Sequence, residues 1–433
     1  MPAVANPLGT MRFRFARKIC MMGTTLRKVA LTLTTAVGVL VVGGSLPTSW
    51  NLANDLIASA ARSGGQPVPI QNADLTASGP GSLVSAMTMP GLVASGDGRH
   101  LQAARVMYRS TSGDDDAPTV VSGAVMVPVG PPPAGGWPIV AFGHGTTGID
   151  QPCAPSNSDS LMGMSGLVAA IVGKGFAVVM PDYEGLGAPG VHPYTDARTA
   201  GLNMIDAVRA LRLTFKNVSN RWMALGHSQG GGAAWAADER ARGYAPELDL
   251  VGAVALAPAA DVTKFVDKAQ ASTLTSDQML AYPLIVESLA RRFPDLNRDD
   301  YRNGWATRTW GALTACSGPL VNQRPAAAAG LSAAQLVPSS ATAATRMRDQ
   351  LQRWALPQEP LSAPMYVVYG SNDTLIDAQW TTDAIARACA LGGTITWQLQ
   401  QGKGHGDIDF SQALSWIVDR FAGKPATNDC PPK

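Results

Sequence analysis

A serine hydroxyl is a nucleophile at neutral pH only when a base takes its proton and an acid holds that base in the right tautomer. The stretch Gly226-His227-Ser228-Gln229-Gly230 offers such a serine. The apolar Trp222-Met223-Ala224-Leu225 precedes it and an Ala-rich segment, 233–242, follows, a pattern of strand, sharp turn and helix. In that setting Ser228 sits on a nucleophile elbow, where glycines two before and two after leave room for neighbouring main chain. The pentapeptide alone is weak in a chain with 45 glycines, so its partners must decide.

In an elbow-type hydrolase the acid and then the base follow the nucleophile along the chain. Of five histidines, His100, His144, His192, His227 and His405, only His405 lies far enough downstream to fold back. Its setting, Gly402-Lys403-Gly404-His405-Gly406-Asp407, reads as a loop between the last strand and the last helix. Asp373 is the expected acid, one loop beyond the apolar run 365–369, and Asp377 is its rival at the start of the next helix, where a carboxylate simply favours the N-terminus. His227 is read as the turn's variable residue, pointing away and shaping the floor of the pocket.

Acyl transfer also needs donors for the oxyanion. The backbone N–H of Gln229 is one. The other is expected from His144-Gly145-Thr146-Thr147-Gly148, which follows an early strand, with Gly145 or Thr146 supplying it. Asp182-Tyr183-Glu184-Gly185-Leu186-Gly187 is given a positioning role on the rim. No metal or organic cofactor is expected: no cysteine pair has C-x-x-C spacing, and Asp114-Asp115-Asp116 lacks the alternating form of a calcium loop and reads as a solvated turn.

These residues need a sheet to carry them. Strand-like runs at 119–129, 138–142, 176–180, 222–225, 250–257, 365–369 and 394–400 alternate with helical segments at 160–173, 197–215, 233–242, 378–391 and 410–421. Short apolar strands between helices predict an α/β protein with a mostly parallel sheet covered on both faces, and functional residues at the strands' carboxyl ends. From 261 to 360 the alternation stops, which predicts an inserted helical cap or lid, too long for a connection. The expected organisation is a targeting segment at 1–49, an N-terminal extension with the first strands at 50–118, a core in two parts at 119–260 and 361–433, and the cap between them.

With 46% hydrophobic and 15% charged residues, the chain can bury a large core. The net charge of +2 conceals an asymmetry: Arg12, Arg14, Arg17, Lys18, Arg27 and Lys28 all precede the first acidic residue, Asp55, leaving 28 of the 34 basic residues against 32 acidic ones. The uncharged, largely apolar stretch 29–44 after them reads as a secretory signal peptide, shorter than the roughly 20 residues of a spanning helix. Cleavage is expected at 45–49 or at Ala58-Ser59-Ala60. Cys20 would be removed, and Cys153, Cys316, Cys389 and Cys430 remain as disulfide candidates with three connectivities open. Neither a basic stripe nor interleaved aromatics is present, so no nucleic-acid partner is expected.

The chain resembles the secretory lipase family of α/β-hydrolases, the fungal lipase A type with actinobacterial relatives. The resemblance is carried by Cys153-Ala154-Pro155-Ser156, Asp182-Tyr183-Glu184-Gly185, the elbow, Tyr244-Ala245-Pro246-Glu247-Leu248, Val251-Gly252-Ala253, the helical segment, Asp373 and His405 at similar spacing, and Arg420-Phe421-Ala422-Gly423-Lys424-Pro425. It covers about residues 80–430 and implies an α/β-hydrolase fold with a cap. It also implies disulfides Cys153–Cys316 and Cys389–Cys430 and a secreted serine carboxylic ester hydrolase, a lipase or esterase acting on lipid esters, triacylglycerols above all. The expected partner is a lipid or other carboxylic ester, met at a lipid–water interface, with a monomer as the default assembly. The sequence departs from the fungal pattern at Gly145, where those enzymes have an acidic residue, and at His227 and Gln229, where Tyr and Gly are common. Other readings on the same fold are an acyltransferase or a serine peptidase. A reading from another class is a non-catalytic lipid-binding surface protein.

Overall fold

The computed structural model describes residues 65–432. The expected targeting segment and Cys20 lie outside them. A nine-stranded sheet runs through the molecule: β1 (Leu83–Thr88), β2 (Leu101–Thr111), β3 (Pro118–Pro128), β4 (Trp137–Gly143), β5 (Ala177–Pro181), β6 (Val218–His227), β7 (Asp249–Leu256), β8 (Met365–Gly370) and β9 (Ile395–Gln400), in the order β1-β2-β3-β5-β4-β6-β7-β8-β9. The pairings β1–β2, β2–β3 and β3–β5 are antiparallel, and every pairing from β5–β4 to β8–β9 is parallel. This is the α/β-hydrolase fold.

Alternation along each strand divides the core between the two faces. Trp222 and Ala224 of β6 join one buried cluster while Met223 and Leu225 join the other, and Met365 and Val367 of β8 are separated from Tyr366 and Val368 in the same way. Helices α3 (Ala197–Thr214), α4 (Gln229–Tyr244) and α10 (Ala378–Ala390) cover the first face. The other carries α1 (Pro90–Ala94), α2 (Ser165–Val172) and α11 (Ser411–Phe421).

Between β7 and β8 the described chain forms α5 (Lys264–Gln270), α6 (Ser276–Arg292), α7 (Gly304–Thr314), α8 (Arg324–Ala329) and α9 (Ala341–Trp354), without a strand. They enclose a buried cluster of their own, into which Ile149, Tyr194, Ile376 and Trp380 project from the core. A Thr275–Gln278 capping box starts α6, and Arg291 and Arg292 sit in its last turn, where cations suit the carbonyl end. Cys153 is bonded to Cys316, joining core to cap, and Cys389 to Cys430. No helix among the described residues is long and apolar enough to cross a membrane.

Each edge of the sheet is covered in part by chain. At β1, Val68 and Thr88 exchange hydrogen bonds through Thr88 N–H to Val68 O and Val68 N–H to Thr88 Oγ1, and Ile70 N–H reaches Ala86 O. At β9, Asp429 N–H donates to Ile395 O, while Asn428 Oδ1 and Asp429 Oδ2 accept from the amides of Ile395 and Trp397.

An expectation for the β2–β3 connection fails. The Asp114-Asp115-Asp116 turn is not simply solvated: the Asp114 side chain is only 7% exposed, paired with Arg292 and Arg353, and it accepts from the indole N–H of Trp354. Asp115 pairs with Arg292 and Asp116 with Arg198. The β2–β3 turn is thus a clasp holding the ends of α6 and α9, partners too distant in sequence for local spacing to reveal.

Candidate active site

Strand β6 ends at His227 and helix α4 begins at Gln229, so Ser228 alone makes the turn. Its backbone lies at φ 59°, ψ −119°, a conformation that L-residues rarely hold unless neighbours impose it. The Ser228 amide donates to Leu256 O of β7 at 2.9 Å, and its carbonyl accepts from Gly232 and Ala259. A Cβ on Gly226 would stand 1.9 Å from Gly230 O, and one on Gly230 would stand 2.0 Å from Gly143 O. The two glycines therefore let the helix start pack directly on strand ends, which leaves the serine hydroxyl projecting beyond the sheet.

The loops after β8 and β9 bring the partners to it. His405 Nε2 lies 2.8 Å from Ser228 Oγ, and His405 Nδ1 lies 2.7 Å from Asp373 Oδ2. A carboxylate only accepts, so Nδ1 carries the hydrogen and Nε2 offers its lone pair to the serine. Asp373 is itself held by the amides of Leu375 and Ile376, both 2.9 Å from Oδ1. Asp377 is turned elsewhere, into an ion pair with Lys268 of α5 at 3.0 Å. It is Asp373, and not Asp377, that meets the His405 ring.

His227 does not point away from this group. Its ring centroid is 5.0 Å from that of His405, and its Nε2–H donates to the His405 carbonyl at 2.8 Å. Burial, reinforced by the charge of His405, pushes its pKa down to about 4, so the ring is neutral and tethers the histidine loop. The partner is 178 residues away in sequence, and no local signal announces it.

Around the hydroxyl, Gly145 lies beside the elbow: a Cβ there would stand 3.7 Å from His227 and 3.8 Å from Ser228 Cβ, ordinary van der Waals contact. The buried His144 ring holds Gly145 O with Nδ1 at 2.7 Å, and desolvation lowers its pKa, keeping it neutral. Thr146 Oγ1 is 2.8 Å from the Tyr194 hydroxyl. Gln229 opens α4, so its amide has no intrahelical acceptor. Its side-chain Nε2 donates to His192 Nε2 at 2.9 Å, which requires the hydrogen of His192 on Nδ1, where it meets Glu184 O at 2.8 Å. Beneath the rim, the fully buried Asp182 accepts from Ser156 N–H at 2.8 Å and from the hydroxyls of Ser122 and Ser156. Its burial and these bonds leave it to fix the loop. Asp150, Cys153 and Cys316 converge as a metal set would, but both sulfurs belong to the disulfide and offer no thiolate.

This geometry has company among known proteins. Residues 161–429 match the family described as secretory lipase. The chain is similar to a probable inactive lipase of Mycobacterium tuberculosis, 27% identical over 357 residues that cover 75% of each protein. It is also similar to lipase 10 of Candida albicans, 26% identical over 288 residues, 61% of this chain and 59% of that protein. Among solved structures, lipase A of Candida antarctica in its closed state superposes with a TM-score of 0.62 at 17% identity, covering 84% of this chain and 88% of that one.

Proposed function

Because the chain belongs to the secretory lipase family of carboxylic ester hydrolases, we propose that it is an exported serine hydrolase that cleaves lipid esters through an acyl-enzyme on Ser228. The observation that carries the reading is the unbroken run of hydrogen bonds from Asp373 through His405 to Ser228. In the first half-reaction, Oγ attacks the ester carbonyl carbon as His405 Nε2 takes its proton. The imidazolium then gives that proton to the leaving alkoxide as the C–O bond breaks, and an alcohol departs. In the second, His405 takes a proton from water, the hydroxide attacks the acyl-enzyme, and the acid leaves as the proton returns to Ser228. Asp373 keeps its negative charge throughout and stabilises the imidazolium.

The oxyanion is held by the amides of Gln229 and Thr146. The hydrogen bond from His144 to Gly145 O supports Thr146 as the second donor, since on a planar trans peptide the N–H faces opposite the carbonyl. The two disulfides support an oxidising destination. "Inactive" describes the mycobacterial relative; here each triad position holds a residue fit for its role.

The test is Ser228→Ala. Hydrolysis of p-nitrophenyl esters and labelling by a fluorophosphonate are expected to vanish while the circular dichroism spectrum stays that of the parent. Residual turnover at the parent rate sinks the assignment.

A further inference from the structure

The segment His192-Pro193-Tyr194 touches three things at once. His192 Nε2 accepts from the Gln229 side chain at 2.9 Å, and the Tyr194 hydroxyl meets Thr146 Oγ1 at 2.8 Å. Both ends of the same tripeptide close on one hydroxyl of the cap: Ser288 Oγ–H donates to His192 O at 2.6 Å and accepts from Tyr194 N–H at 2.8 Å. Ser288 lies on α6 with no exposed surface, and His192, Tyr194 and Gln229 are 2%, 6% and 6% exposed. The ring of His192 is desolvated and neutral, its pKa held down to about 4 by burial, so its acceptor role towards Gln229 does not change between pH 5 and 9.

We propose that His192, Tyr194 and Ser288 are positioning residues that set the spacing of the oxyanion donors Gln229 and Thr146 from the cap helix α6. The inference rests on the serine-hydrolase reading. It adds that the cap does more than shelter substrate. Gln229 opens α4 and Thr146 stands in the loop after β4, two segments with no ladder between them at this point. The tripeptide spans the gap, and Ser288 clamps it by hydrogen bonds that cap displacement would break. Because these residues act through Gln229 and Thr146, their effect is expected in transition-state stabilisation and not in ground-state binding.

The experiment compares the parent with Ser288→Ala, Ser288→Thr, Tyr194→Phe and Leu289→Ala. The last is a buried cap residue next to Ser288 but outside the network. For each, kcat and KM on p-nitrophenyl butyrate, the Ki of an alkyl trifluoromethyl ketone, and Tm are measured. Removing an oxyanion donor outright costs about 100- to 1,000-fold in kcat, so misplacing one is expected to cost about tenfold. Ser288→Ala and Tyr194→Phe are expected to lower kcat about tenfold, raise Ki by the same factor and leave KM within about twofold, while Ser288→Thr, which keeps the hydroxyl, recovers most of the loss. Leu289→Ala is expected to lower Tm without changing the ratio of Ki to KM. If Ser288→Ala and Tyr194→Phe keep the parent's kcat and Ki, or move them only as Leu289→Ala does, the positioning role is overturned and the hydrolase reading stands. A parent chain that neither turns over the ester nor is labelled at Ser228 overturns both.

Discussion

At the residue scale, two aspartates four positions apart have been given different work by their surroundings. Asp373 Oδ2 faces His405 and its Oδ1 is held by two amides, whereas Asp377 answers Lys268 across the cap interface. Asp373→Asn is therefore expected to keep the fold and lower kcat about 10⁴-fold, because an amide nitrogen facing Nδ1 forces the histidine into the wrong tautomer. Asp377→Asn is expected to change kcat less than about threefold and to show its effect in Tm. Steady-state kinetics on both variants decide the matter, and equal losses contradict the assignment. The meeting of Ser228, His405 and Asp373 was legible because these residues are rare or ordered: one eligible histidine, one aspartate at a strand end, one serine between two glycines. The supports were not. His227, His192 and Ser288 act on partners 178, 37 and 96 residues away, and no spacing in the chain encodes those meetings.

At the scale of elements, the strands from β4 to β8 could be read because each carries a compact, buried apolar run, and β9 because its segment follows a helix and alternates Ile395, Trp397 and Leu399 with polar residues. Strands β1 and β2 could not. Leu101–Thr111 reads LQAARVMYRST, with Val106 and Thr111 its only β-branched residues, and it owes its extended state to full-length pairing with β3. The clasp at Asp114 has the same character: three acidic residues in a row look solvent-directed until α6 and α9 arrive with Arg292, Arg353 and Trp354. Asp114→Ala removes the acceptor of a buried indole N–H and the partner of two arginines. The expected cost is about 1–3 kcal/mol, read from urea unfolding, with ester turnover less affected than the midpoint. A midpoint unchanged from the parent contradicts the clasp.

At the scale of the whole molecule, the protein holds more protons than its unfolded chain over part of the pH range. Burial pushes the carboxyls of Asp238, Glu239 and Glu184 up to about 8, 7 and 7, while in an unfolded chain they ionise near 4. Stability from these groups is complete below about pH 4 and is lost as pH rises through their folded values. His192 and His227, held down to about 4, act in the opposite sense, but only between about 4 and their unfolded value near 6.5. From pH 6.5 to 8.5 the acids act alone, and Tm is expected to fall across that interval in scanning calorimetry. Asp238→Asn, which keeps an acceptor for the amides of Ser362 and Ala363, is expected to flatten the decline. A Tm that climbs over the same interval contradicts it.

The two covered margins of the sheet carry a further consequence, for how the protein survives at high local concentration. An open strand edge is a template on which a second chain can add, and that is how soluble sheets become fibrils. Here residues 68–70 close one margin and Asn428 and Asp429 close part of the other, the latter pinned by the Cys389–Cys430 bond. The bonds that hold both segments run to β1 and β9 and not to Ser228, Asp373 or His405. A chain cut both to begin after residue 80 and to stop at Lys424 would keep Ser228, Asp373 and His405 and lose both guards against self-association.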